Sequence, residues 1–481
     1  MNTTVRISRP LAPSSTRPFV KPLMVAGAIA LAASQALAAG EAKNVIFFLG
    51  DGMGPVTVTA SRIYKYGEAG KLAMETLPRT ARIRTYSLDA QTTDSAPSMA
   101  AYMTGVKMRN EVLSMDGNTL AKRPSADTTV TPNVGNAVNN CPATGNGVSV
   151  PTILEQAIGK GKGTGVVTTA RLTHATPAAT YAHVCHRDTE YAIAAQAVPG
   201  GAGFNVALGT GVDVLLGGIG YYWRPFDATT NPRGRPDKRD LVAELQAKGY
   251  AAASDLASFN AAPSSGRMIG LFDQAVAQGH MSYELDRDPA KDPSLSQMTS
   301  KAIDILSKNP NGYFLMVEGG RIDHALHGTN AKRALADTIA FDDAIKTALG
   351  KVDLSNTLVV VTADHDHTMA FNGYSHLGND ILGKTTDVKT KRPVLAADGK
   401  PFTTLVFGNG LSPRNGVRDD ITLVDTSGNK DYTQEVGVPL SSETHGGGDV
   451  MLFAAGAGSG VFKGSLDNTK VFGMLRQAFG F

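Results

Sequence analysis

The feature that most constrains this chain is a set of short apolar runs that stop abruptly at acid, imidazole or glycine. Residues 45–49 (VIFFL) stop at Gly50, Asp51 and Gly52. Residues 313–317 (YFLMV) stop at Glu318, and 357–362 (TLVVVT) lead through Ala363 into Asp364 and His365. Residues 165–169 (GVVTT), 403–406 (TTLV) and 450–454 (VMLFA) have the same character. Unbroken apolar runs of this length suit strands buried on both faces. Between them, 151–160, 238–248, 296–307 and 332–349 carry apolar residues at helical spacing. Strand–helix alternation predicts an α/β fold with a mostly parallel sheet covered on both faces. Ligands of such sheets gather at the carboxyl ends of the strands. Asp51, Glu318, Asp364 and His365 would all reach that edge.

A chain of 481 residues that is 42% apolar can bury a large core, so wholesale disorder is excluded. The 52 glycines point to many tight loops, and 24 prolines without a G-X-Y period exclude collagen. Residues 1–22 carry Arg6, Arg9, Arg17 and Lys21 and no acid, and 23–38 (LMVAGAIALAASQALA) are uncharged and apolar. A basic start, a short apolar run and a small-x-small ending predict a secretory signal over 1–38, cut after Ala38. The product would be exported, to a periplasm or the outside. The apolar run is short for a bilayer span and no other stretch comes close, so no membrane span is expected in the mature chain; an uncleaved anchor is the alternative. Loss of those four positive charges takes the formal charge from +3 to −1. A near-neutral chain offers no electrostatic case for nucleic acid. Cys141 and Cys185 are the two cysteines; in an exported chain a pair suggests one disulfide, with two separate thiols as the alternative.

Two stretches break the alternation. Residues 108–146 are polar and turn-rich, and 373–440 are rich in Gly, Pro, Lys, Asn and Asp. The second reads as an insertion over or beside the site within one catalytic domain, 39–481.

The densest chemical cluster is EGGRIDHALH, 318–327. On a helix, Asp323 and His327 share a face and can hold one metal with oxygen and nitrogen ligands. Glu318, at a strand end, can serve a second. Asp364 and His365 are adjacent candidate ligands, whereas His367 reads as a solvated loop histidine, with a place behind the metal ligands as the alternative. His445, in the glycine-rich THGGG, is a weak candidate alone, and gains weight because the other clusters lack a third zinc ligand. In TDSAPSMAA, Asp94 or Ser95 can cap a helix whose first turn holds Pro97. That would put the Ser95 hydroxyl where backbone N–H groups favour phosphate. No GxSxG elbow surrounds Ser95, which favours metal chemistry over a Ser-His-Asp triad. Arg187 or Arg171 can grip phosphate oxygens with a planar fork, and spacing does not choose between them.

At these residues the chain resembles the alkaline phosphatase family. NVIFFLGDGMG, TDSAPSMAAYMTGVK, GVVTTARLTHATPAATYAHVCHR, MVEGGRIDHALH, VVTADHDHTMAFNGY and SSETHGGGDV follow the family's order, and the stretch around DPSLSQMTSKAIDIL is similar to its animal-type branch. The resemblance implies a three-layer α/β/α fold with a mostly parallel central sheet and a crown-like insertion at about 373–440. It implies two zinc ions, one held by Asp323, His327 and His445 and the other by Asp51, Asp364 and His365. It implies a magnesium ion held by Asp51, Glu318 and Thr176, Ser95 as nucleophile and Arg187 as phosphate clamp. His174 and His324 would lie beside the third metal and the phosphate, as in the animal-type branch. Phe272, Asp273 and Asp292 match part of a calcium site of that branch, with altered spacing. A homodimer is the family's usual assembly.

These roles suit a phosphate monoester, an anion with a poor leaving group. A phosphodiesterase of the same superfamily would be expected to lack the Arg187 clamp. A sulfatase needs Arg after C/S-x-P-x, and SAPSM has none. A non-catalytic metal or phosphate binder would have no use for Ser95.

Overall fold

The computed structural model describes residues 42–218, 220–272, 279–412 and 417–481. The predicted signal, 1–38, and Asp273 lie outside the described residues.

Ten strands form one sheet: β1 Asn44–Gly50, β2 Arg79–Arg84, β3 Gly163–Arg171, β4 Val214–Gly218, β5 Tyr250–Ala253, β6 Arg267–Phe272, β7 Tyr313–Gly319, β8 Thr357–Ala363, β9 Val450–Gly456 and β10 Gly464–Asp467. Their order is β10-β2-β9-β8-β1-β7-β3-β4-β6-β5. All run in one direction except β9, which is antiparallel to β8 and β2. The alternation of predicted strands and helices therefore yields the mostly parallel α/β sheet it requires.

β1 lies centrally, and Val45–Leu49 are fully buried. Successive strand side chains point to opposite faces. Phe47 meets Tyr102 of helix Ser95–Thr104, and Phe48 meets Phe341 of helix Ala331–Leu349. Each face thus has its own helical layer. One layer packs Ala331–Leu349 against Leu295–Leu306, Pro55–Tyr66 and Arg321–His327; the other packs Asn468–Phe479 against Ser95–Thr104 and Ile153–Gly159. Local chemistry sets where these helices begin. Thr152 with Glu155, and Ser294 with Gln297, form capping boxes that satisfy otherwise orphaned N–H groups.

The run at 403–406 departs from expectation. The strand is Leu405–Leu411, and it belongs to a separate three-stranded sheet with Met369–Phe371 and Val436–Leu440. Much of 373–440 thus pairs within itself, and Asn409 exchanges hydrogen bonds with Thr444, beside His445. Cys141 and Cys185 form a disulfide. No described helix is long and apolar enough to cross a membrane.

Candidate active site

Sheet register brings the chemistry together. Gly50 of β1 stands opposite Gly319 of β7 and Ala363 of β8, so all three strands end level. Asp51 and Asp364 follow directly, and Glu318 lies one residue back on β7. Helix Arg321–His327 starts two residues after β7 and carries Asp323, His324 and His327. Gly52 makes the turn after β1. Its φ is +64°, its N–H donates to Asp364 Oδ1 at 3.0 Å, and an added Cβ would lie 2.3 Å from His367 Nε2.

Ser95 is the first residue of its helix, capped by Asp94, whose carboxylate accepts from Ala96 N–H at 2.8 Å. The buried Ser95 Oγ lies 3.3 Å from Asp51 Oδ1 and 3.2 Å from His365 Nε2. Three ligand-like groups surround it. Asp51, Asp364 and His365 converge on one side, and His365 Nε2 is 3.3 Å from Asp51 Oδ1 and 3.5 Å from Asp364 Oδ2. Glu318 and Asp51 converge with His174, and Thr176 donates to Asp51 Oδ2 at 3.4 Å. On the third side His327 Nε2 is 3.2 Å from Asp323 Oδ1, His445 Nε2 is 3.5 Å from the same oxygen, and the two nitrogens are 3.0 Å apart.

This donor set suits cations. His327 Nδ1 faces the Glu443 carbonyl at 2.6 Å and His445 Nδ1 faces that of Thr93 at 2.8 Å. Each Nδ1 therefore carries the proton, and two Nε2 lone pairs point at each other and at a carboxylate. Glu318 Oε1 and Asp364 Oδ2 are buried without a hydrogen-bond partner among the described residues. Burial, then the charge of Asp323, pushes Asp51 up to about 7. Burial and the Asp51 charge push Asp364 up to about 7 and Glu318 well above the carboxylate range. Burial, then His365, pulls His445 down to about 4. The buried charge on Asp51, Asp364 and Glu318 is what a positive ion would relieve, whereas Asp323, against its burial, is held well below the carboxylate range by His327 and raises His327 in turn.

The two arginines separate cleanly. Arg171 meets Glu190 with both prongs, at 2.9 and 2.7 Å. Arg187 donates to Asp94, the cap beside Ser95, at 3.0 Å, and its other nitrogen is 3.0 Å from His174 Nε2.

A sequence profile of the family described as Alkaline phosphatase matches residues 42–481. The chain belongs to the alkaline phosphatase family. It is 38% identical over 452 residues to an alkaline phosphatase of Gadus morhua, with 88% of each chain covered. To the tissue-nonspecific alkaline phosphatase of Homo sapiens it is 37% identical over 455 residues, covering 88% of this chain and 80% of the relative. The structure of Thermus thermophilus alkaline phosphatase shares the fold, with a TM-score of 0.63, 24% identity and 95% of both chains covered. The chain is thus an enzyme of a metal-dependent family of phosphoric monoester hydrolases.

Against that family background, the histidine read as a solvated loop residue needs correction. His367 is buried. Its Nε2 lies 2.9 Å from Asp323 Oδ1 and its Nδ1 2.5 Å from Glu443 Oε2. The cause is a two-residue pairing of Asp366–His367 with His445–Gly446, which sets His367 opposite His445. Sequence reasoning also passed over Glu443 and His280. His280 is buried, its ring 4.0 Å from that of His324 and 5.4 Å from that of His174, with Arg171 N–H donating to its Nδ1 at 3.1 Å. The rings of His174 and His324 are 5.3 Å apart. Of the calcium candidates, Phe272 ends β6 and packs on Phe259, and Asp292 is buried with Oδ1 unpartnered among the described residues.

Proposed function

We propose that the mature chain is an exported phosphomonoesterase that works through a phosphoserine at Ser95. The observation that carries this reading is the buried Ser95 hydroxyl at a helix N-terminus, within 3.3 Å of both Asp51 and His365. Asp323, His327 and His445 would hold one zinc, and Asp51, Asp364 and His365 the other. Asp51, Glu318 and Thr176 would hold magnesium. When bound, these ions supply positive charge beside the attacking and leaving oxygens.

The chain's own groups do the rest. The N–H groups opening helix Ser95–Thr104 favour a phosphate anion. Arg187 offers its fork to two phosphate oxygens, and Asp94 holds that fork toward Ser95. Ser95 Oγ gives up its proton and bonds to phosphorus as the ester P–O bond breaks, and the alcohol leaves with a proton. Water then attacks the same phosphorus, the Ser–O–P bond breaks, and Ser95 regains a proton as inorganic phosphate is released. His174, paired with Arg187, would stand behind the magnesium ligands; an unchanged magnesium dependence in His174→Asp would count against that.

The basic, then apolar, leader supports export, and the Cys141–Cys185 bridge suits an oxidising compartment. Tyr374, Leu377 and Leu423, each more than four-fifths exposed, support 373–440 as the surface of a homodimer, which light scattering would test. The buried Oδ1 of Asp292 supports a calcium ion shared with Phe272 and Asp273. The central test is release of p-nitrophenol from its phosphate ester at alkaline pH, before and after chelation and return of zinc and magnesium. Activity should vanish and return, and acid-quenched protein should carry phosphate on the Ser95 peptide. Full turnover by Ser95→Ala would overturn the mechanism.

A further inference from the structure

We infer that Glu443 is a positioning residue that organises all three groups of the Asp323–His327–His445 cluster, resting on the metal assignment proposed above. Its side chain is fully buried, although it sits in a glycine-rich surface segment. One carboxylate oxygen accepts from His367 Nδ1 at 2.5 Å, and His367 Nε2 in turn meets Asp323 Oδ1 at 2.9 Å. The other oxygen accepts from the Thr368 N–H at 2.6 Å and the Thr368 hydroxyl at 2.7 Å. The carboxylate is thereby fixed at both ends, and through His367 it fixes the rotation of Asp323.

The backbone of the same residue fixes His327. The Glu443 carbonyl accepts from His327 Nδ1 at 2.6 Å, and the Glu443 N–H donates to the His327 carbonyl at 3.1 Å. This selects the tautomer that leaves the His327 Nε2 lone pair facing Asp323 and His445. His445 follows two residues later, with the Asp366–His367 pairing holding it in place. One residue therefore reaches one ligand through a hydrogen-bonded imidazole, a second directly and a third through the chain. The Asp51–Asp364–His365 cluster receives no such contact from Glu443 among the described residues.

The test compares zinc content, by mass spectrometry of the metal, in wild type, Glu443→Gln and His367→Asn during competition with a chelator. Glu443→Gln keeps the volume and both backbone bonds to His327 but loses the charge-assisted link to His367. One zinc equivalent should weaken roughly 10- to 100-fold in both variants, with the other equivalent and the magnesium unchanged. The melting temperature of the metal-free variants should match wild type, and excess zinc should restore kcat with KM unchanged. Wild-type affinity for both zincs in the variants overturns the inference. So does equal weakening of every metal together with a lower metal-free melting temperature, which would mark a general structural role. Wild type that binds no zinc would instead overturn the metal assignment itself.

Discussion

Gly52→Ala puts the architecture of the site under a quantitative test. Two costs are separable. At φ +64° an alanine pays the left-handed penalty, about 1 kcal/mol. Its Cβ would also lie 2.3 Å from His367 Nε2 and 2.5 Å from Cδ2, distances no real contact sustains. His367 cannot yield freely, because Asp323 holds it at 2.9 Å and Glu443 at 2.5 Å. Loosening one hydrogen bond to a charged group costs about 1.5–3 kcal/mol. The expected loss is about 2.5–4 kcal/mol in all, a large share of the 5–15 kcal/mol that stabilises a typical domain. Gly399→Ala, in a tight turn, is the control: its φ is +74°, but an added Cβ meets nothing within 4 Å, so only the backbone cost of about 1 kcal/mol applies. Guanidinium unfolding of both metal-free variants should separate them by about 1.5–3 kcal/mol, with kcat falling in Gly52→Ala alone. Equal midpoints for the two variants would refute the crowding of Gly52 against His367.

The two arginines should dissociate function from stability. Arg187→Lys should raise KM and the phosphate inhibition constant roughly 10-fold or more with little change in unfolding free energy, since only the planar fork is lost. Arg171→Lys should leave KM alone but cost about 2–3 kcal/mol, because it breaks a two-pronged pair with Glu190; the reverse pattern in steady-state kinetics and denaturation would exchange their roles. Cys141→Ser opens a loop spanning 44 residues of separation and should cost roughly 2–5 kcal/mol. It should also raise KM, because Cys185 lies two residues before Arg187, the proposed phosphate ligand, and an unchanged KM would show that Arg187 keeps its place without the bridge.

The parts of this fold legible in the sequence are those whose burial is two-sided. β1, β7 and β8 are unbroken apolar runs because both faces are covered, and the acids that end them mark the edge where ligands collect. β2 (RTARIR) buries only Ala81 and Ile83 and sends arginines outward, so no apolar run announces it. β5 is built from YAAA, which alanine makes equally suited to a helix. Leu405–Leu411 has the local look of a main-sheet strand, but its partners are chosen by tertiary pairing that no window reports. The site divides along the same line. Asp323 and His327 are legible because their four-residue spacing is local. His367 was not, because its burial depends on pairing with His445, far along the chain beyond residues 373–440. What sets Arg171 apart from Arg187 is Glu190, whose carboxylate meets Arg171 with both oxygens. Nothing about either arginine's own neighbours in sequence reveals that.

The crowding of carboxylates beside Ser95 has a consequence for stability that separates metal-loaded from metal-free protein. Without cations, Asp51 and Asp364 are each pushed up to about 7, chiefly by burial. Their values in the unfolded chain lie near 3.8. An acid whose pKa rises on folding stabilises the folded state fully only below its unfolded pKa, and that contribution is lost as pH rises through the folded value. Between pH 6 and pH 8 each such acid should remove about 1.4 kcal/mol from the metal-free protein. Metal-loaded protein should be flat over the same range, because cations stabilise the ionised carboxylates and the protons are already gone. The gap in melting temperature between loaded and chelated samples should therefore widen steadily from pH 6 to pH 8. Zinc added near pH 6 should also release protons, measurable as a calorimetric heat that changes with the buffer's ionisation enthalpy. Parallel pH profiles for the two forms, with no buffer dependence, would mean that the carboxylates are already ionised in the metal-free fold, and that something other than a metal ion balances their charge.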